Sequence, residues 1–333
     1  MQPQAGILLE LIKIRVTAAV ALTAAFGFLL AEPQLSMAVP GVFLGLWLQA
    51  AGSASLNHWQ ERHTDALMER TRSRPLPTGR IRSTTVLAIG LNLLVLGSLL
   101  LFLGWGAPPA LAGLASFVCY NLLYTPLKTR SHLAVLPGSL SGAIPPFVGW
   151  LAAGGRLDDP LIWFVAAFLF IWQFPHFWIL LLLIGEEYHR AGLRTLASHL
   201  GQLQLRRLSR NWVFLLVLAG LSFMAPRFGL GPWLRGLLAI GSLGLLLTGA
   251  LIMGKEQPRN RVRRLFLWVN AYTLLVLLCL TLAGFVSRDE PIGAARPDDI
   301  RTDLREVSPD PAAGNPGSKG THGTHVTHHT LLA

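Results

Sequence analysis

Cysteine is almost missing from this chain. Cys119 and Cys279 stand alone, each inside an apolar run, which excludes a disulfide framework and a cysteine-based zinc site. Charge is scarce as well, at 14% of 333 residues, against about a quarter in a soluble domain. Acidic side chains are the scarcer sign, with 17 Asp and Glu against 28 Lys and Arg, for a net charge of +11. No long stretch alternates polar and apolar residues with a two-residue period, which excludes a membrane β-barrel. With 52% hydrophobic residues and a mean hydropathy of +0.49, a soluble globular domain is excluded too.

What the chain has in abundance is long apolar runs. About 20 such residues cross a bilayer as a helix. Nine segments come close, at 13–32, 36–56, 84–104, 108–124, 133–152, 160–184, 211–229, 233–253 and 264–286. They predict an all-α polytopic membrane protein of about nine transmembrane helices. Lys13 and Arg15 lend the first run the look of a signal peptide, but its loss would upset the orientation of the rest, so it is read as a span. The basic residues crowd the N-terminus and the even-numbered connections, while the odd-numbered side holds Arg156, Arg227 and Arg235. The positive-inside rule then predicts a cytoplasmic N-terminus and, with an odd number of spans, a C-terminus outside. The net charge is thereby read as a topology signal, and nucleic acid is not expected as a partner. Residues 1–12 are a short cytoplasmic N-terminus and 13–286 the membrane domain. Residues 287–333 are expected to be a disordered Pro/Gly/His-rich tail, with its histidines solvated rather than metal-bound.

Polar residues gather where spans predicted to end on the cytoplasmic side meet water. In NHWQERHTD (57–65), Asn57, Glu61 and Asp65 follow i, i+4, i+8 spacing and share a helix face. Their hard oxygens suit Mg²⁺, which usually shares its shell with a substrate phosphate. RTRSRPLPTGR follows, and the Arg70 and Arg74 guanidinium forks match phosphate oxygens. A Mg²⁺–diphosphate would bridge the two clusters. The plainer alternative is a solvated helix end with topology-setting arginines. YTPLKTR adds Tyr124, Lys128 and Arg130 on the same predicted face, and GEEYHRAG adds Glu186 and Glu187. Asp158 and Asp159 fall on the opposite face. His176, in WQFPHFW, lies inside the sixth span, where an ionisable group is a functional candidate by default.

NHWQERHTDALMERTRSRPLPTGRI resembles the first acidic motif, N-x-x-x-D-x-x-x-D, of the UbiA-type intramembrane prenyltransferases. With YTPLKTRSHLAVLPGSLSGAIPPFVGW (124–150), WQFPHFWILLL (172–182) and EEYHRAGLRTL (186–196), the likeness extends to the family's protohaem-farnesylating branch. It covers most of 57–196, while 200–286 is similar in hydropathy alone. The resemblance implies a nine-helix UbiA-type bundle in a bacterial inner membrane, with its active site facing the cytoplasm. It implies transfer of a farnesyl group from farnesyl diphosphate to a vinyl group of protohaem IX, giving haem O and diphosphate, with Mg²⁺ as cofactor. Haem A synthase or terminal-oxidase assembly would stand downstream. Carried over residue by residue, Asn57, Glu61 and Asp65 would hold Mg²⁺, and Glu186 and Glu187 a second ion. Lys128 would join the catalytic set. Arg70, Arg74, Tyr124, Lys128 and Arg130 would bind diphosphate, and His176 and His132 haem. The chain departs from the family at Glu61, Glu186 and Glu187, where Asp is usual, and at His63. Prenylation of a quinone precursor or another ring acceptor such as a chlorophyll-like ring, a non-catalytic lipid- or haem-binding role and transport remain open alternatives at this point.

Overall fold

Helices carry the whole described fold of this computed structural model, which covers residues 4–196, 199–253 and 257–286. The expectation for 287–333 lies outside the described residues. A short helix α1 (Gln4–Leu11) leads through Lys13 into α2 (Ile14–Ala31), followed by α3 (Ala38–Leu67) and α4 (Ser83–Trp105). The fourth span is composite. α5 (Ala107–Phe117) passes into a π-helical stretch, Val118–Tyr124, and a last turn, α6 (Thr125–Leu127). The fifth breaks into α7 (Val135–Ala143) and α8 (Pro145–Ala152), because two consecutive prolines, Pro145 and Pro146, cannot continue the preceding helix. α9 (Pro160–Arg190), α10 (Gln202–Leu221), α11 (Pro232–Met253) and α12 (Arg259–Val286) complete the bundle.

Eight described segments are long and apolar enough to cross a membrane. The remaining expected span, the seventh at 211–229, is met by α10, which starts nine residues early in the polar QLQLRRLSR stretch. Its apolar half stops at Leu221, and two 3₁₀ turns follow, Ser222–Met224 and Pro226–Phe228. Pro226 lacks the N–H that a continuing helix would need. These turns are nonetheless core: Phe223 and Phe228 are buried against Phe168 and Phe164.

Small residues let the backbones meet. A Cβ on Gly149 of α8 would lie 1.7 Å from the Ala24 carbonyl oxygen of α2, and one on Gly27 would lie 2.0 Å from that of Pro146. Such close crossings replace a hydrophobic driving force in lipid. Leu103, Ile240 and Leu251 stay largely exposed. In a bilayer they face acyl chains.

α3 and α9 are the longest helices, at 30 and 31 residues. At 1.5 Å per residue each is roughly 45 Å long, well beyond the ~30 Å of a hydrocarbon core. Their C-terminal turns therefore overhang into the interface, and those turns carry the acidic residues.

Candidate active site

α3 stays helical through Leu67, so Asn57, Glu61 and Asp65 do share one face. Each of the three is held by a cation from a different segment. Lys13 Nζ donates to Asn57 Oδ1 at 2.7 Å. Lys128 pairs with Glu61. Arg74 reaches Asp65 Oδ2 at 2.6 Å, with Asp65 almost fully buried. A carboxylate in the last turn of a helix opposes the helix dipole, so Asp65 is placed at a structural cost that Arg74 offsets.

The surroundings tune those cations. Burial, with Arg74 next, holds the Lys13 ammonium down to about 8. Burial also works against the Lys128 charge, but Glu61, with Tyr120 and Tyr188, outweighs it and lifts the pKa above the ordinary lysine value. Lys13 adopts φ 48°, the one positive φ on a non-glycine residue among those described. That turn brings its side chain back over α3.

A polar seam locks α3 to the fourth span. Asn57 Nδ2 donates to Thr125 Oγ1 at 3.2 Å, and Thr125 donates to the Tyr120 carbonyl at 2.8 Å. Asn121 Nδ2 donates to the Ser53 carbonyl and to Gln60 Oε1, while Gln60 Nε2 returns a bond to the Asn121 carbonyl. Asn121 and the Tyr120 carbonyl, the two seam partners on this span besides Thr125, lie in the π-helical stretch.

A cavity of about 310 Å³ opens beside the cluster, with Lys13, Tyr120, Tyr124 and Tyr188 on its wall. Most of its remaining lining is apolar or small, such as Val16, Val20, Leu46, Phe117 and Leu180. Gln49, Ser139, Gln173 and His176 also line it. His176 lies between the rings of Trp172, at 4.9 Å, and Phe266, at 4.7 Å, and its Nδ1 stands 2.9 Å from Asn270 Oδ1.

The remaining expected residues divide. Tyr124 lines the cavity and lies under the Lys128 ammonium, 5.0 Å from its ring centre. Arg70, Arg130 and His132 are exposed. His132 meets His199 edge-on at 5.5 Å rather than the cavity. Glu186 is exposed and pairs with Arg190 at 2.8 Å, so the structure does not join it to the cluster. Glu187 turns the other way, with Oε2 buried and without a partner among the described residues. Asp65 Oδ1 is in the same condition.

Asp65 Oδ1 and Glu187 Oε2 are orphaned carboxylate oxygens of the hard kind that suits Mg²⁺. Among the described residues no three His, Cys, Asp or Glu side chains form a cage by themselves. Sequence reasoning missed Lys13, read as a topology charge, and also Gln49, Asn121, Gln173 and Asn270. The last four are amides inside apolar runs, and that alone marks them as candidates.

The UbiA prenyltransferase family model matches residues 20–285. The chain belongs to this family. It is accordingly a multi-pass integral membrane protein. A protein named protoheme IX farnesyltransferase from Nitratidesulfovibrio vulgaris is 36% identical over 268 residues, covering 80% of this chain and 93% of that one. A protein of the same name from Sorangium cellulosum is 40% identical over 253 residues, 75% of this chain and 88% of the relative. The fold matches a solved UbiA homologue from Archaeoglobus fulgidus bound to GPP and Mg²⁺, with a TM-score of 0.61 and 16% identity over 84% of this chain and 99% of that one. A structure of digeranylgeranylglyceryl phosphate synthase matches with a TM-score of 0.68, 16% identity and coverage of 85% and 99%.

Proposed function

We propose that this UbiA-family protein transfers the farnesyl group of farnesyl diphosphate to a vinyl group of protohaem IX, with addition of water, giving haem O and diphosphate. The carrying observation is the cluster in which Lys13, Lys128 and Arg74 each grip one oxygen donor of α3 beside a largely apolar cavity that His176 lines. Farnesyl transfer to protoheme also names the curated relatives.

Asn57, Glu61 and Asp65, together with Glu187, would hold Mg²⁺. Once bound, the ion would supply positive charge to the departing diphosphate. Lys13, Arg74 and Lys128 bind the diphosphate oxygens as charge-assisted donors, and the Tyr124 hydroxyl adds a neutral one. Arg70 and Arg130 would draw the anion in from their exposed positions. The allylic C–O bond breaks and diphosphate leaves with the electron pair. The apolar wall then shields the farnesyl cation from water. The terminal vinyl carbon of protohaem attacks it, which moves the positive charge to the ring-bound carbon. Water adds there and loses a proton. His176 faces the haem, and His132 stands outside, where a propionate would pass.

We assign the activity to residues 13–286, with the cluster on the cytoplasmic face of a cytoplasmic membrane. The deciding experiment supplies membranes holding the protein with protohaem, farnesyl diphosphate and Mg²⁺, then weighs the extracted haems by mass spectrometry. A haem heavier by one farnesyl and one hydroxyl group, its vinyl converted to hydroxyethylfarnesyl, is the expected product, and its formation is lost on chelation of the metal. Unchanged haem, with prenylation of a quinone precursor instead, would overturn the acceptor assignment.

A further inference from the structure

His176 and Asn270 lie on different helices, α9 and α12, and meet through a chain of donors that leaves one arrangement. Asn270 Nδ2 donates to the Phe266 carbonyl at 2.5 Å. A carbonyl only accepts, so the amide nitrogen must face it. That turns Oδ1, also only an acceptor, toward His176 Nδ1 at 2.9 Å. Nδ1 must therefore carry the hydrogen. In a neutral imidazole Nε2 is then bare. The ring cannot easily swing to exchange its nitrogens, because Trp172 and Phe266 flank it.

We infer that Asn270 is a positioning residue for the acceptor substrate: it fixes His176 as the Nδ1–H tautomer and leaves Nε2 as a lone-pair donor for the haem iron. The inference rests on the reading of His176 as the haem-facing side chain. The logic is that of metal-bound histidines in general, whose second nitrogen donates to an oxygen that sets tautomer, orientation and basicity. It assigns α12, the last of the described helices, a part in acceptor recognition, although the diphosphate cluster draws on earlier segments of the chain.

The test uses the full chain in lipid nanodiscs, titrated with ferrous protohaem and read by visible absorption and by the iron–imidazole stretching band in resonance Raman spectra. Asn270→Leu removes the acceptor, and Asn270→Asp keeps one and strengthens it. The expected result for Asn270→Leu is haem affinity lowered about tenfold, a stretching band moved to lower frequency, and an unchanged KM for farnesyl diphosphate. Asn270→Asp should keep the affinity and move the band upward. A band and affinity in Asn270→Leu equal to wild type, while His176→Ala loses both, would overturn the role of Asn270 alone. Wild-type haem binding in His176→Ala would overturn the reading of His176 and the inference with it. Should the Leu variant fail to reach the membrane, the direction of the Asp band decides.

Discussion

Arg74 closes on Asp65 at 2.6 Å across nine residues of chain. The intervening turn is tied to the same residue, since the Asp65 carbonyl accepts from Met68 N at 3.4 Å and from Thr71 Oγ1 at 2.9 Å. The loop after α3 is thus folded around one residue, whose second carboxylate oxygen is buried and has no partner among the described residues. Nothing in helix stability asks for an acid there.

Asp65→Asn should reach the membrane at wild-type level, because the amide keeps the shape and one oxygen for Arg74. It removes the negative charge for the metal, and kcat should fall by about 10²–10³-fold. Farnesyl transfer by the variant at near the wild-type rate would remove Asp65 from the metal site.

Lys13 separates binding from turnover. Its ammonium bonds Asn57 and lines the cavity. A charge-assisted hydrogen bond contributes about 1.5–3 kcal/mol. Lys13→Met should therefore raise the KM for farnesyl diphosphate at least about tenfold while leaving the affinity for protohaem unchanged, and Lys13→Arg should recover most of the loss. Steady-state kinetics with each substrate varied in turn measures this. An equal loss for both substrates would mean that Lys13 only packs α1 and α2 on α3.

Much of this is legible in the sequence alone. The face shared by Asn57, Glu61 and Asp65 follows from helical period alone, and the apolar runs locate the spans to within a few residues. α10 was misplaced because hydropathy ignores what Pro226 does to a helix and cannot see that QLQLRRLSR is helical. Lys13 was legible as a charge but not as a ligand, since its direction depends on one backbone torsion between α1 and α2. Glu186 and Glu187 looked equivalent as a pair. Adjacent helical residues point about 100° apart, so at most one of them faces the cluster squarely.

The contact of α2 with α8 allows a test of packing without chemistry. Gly149→Ala would drive a methyl group into the Ala24 backbone, with 1.7 Å to the carbonyl oxygen. A backbone atom cannot give way as a flexible side chain does. The variant should lose several degrees in Tm, followed by thermal aggregation in detergent, or fail to accumulate. Gly244→Ala on α11, where a Cβ would find nothing within 4 Å, should be neutral or stabilise by about 0.5–1 kcal/mol. Similar behaviour of the two variants would refute the close crossing.

Glu186 and Glu187 give the sharpest contrast between neighbours. The Glu186 side chain is 80% exposed and its partner Arg190 is 72% exposed. Such a pair contributes about 0.2–1 kcal/mol and is screened by salt. Glu186→Gln should change neither kcat nor the Mg²⁺ dependence measurably. Glu187 keeps a buried, unpartnered oxygen at the end of a helix whose dipole disfavours it. Such an oxygen suits a cation in the working state, which is the role proposed for it. Glu187→Gln should raise the Mg²⁺ concentration needed for half-maximal activity and lower kcat by about 10²-fold. Titrating both variants with Mg²⁺ in the farnesyl-transfer assay checks this. A loss confined to Glu186→Gln would mean that the α9 terminus rotates when substrate binds, and the metal role would pass to the exposed acid.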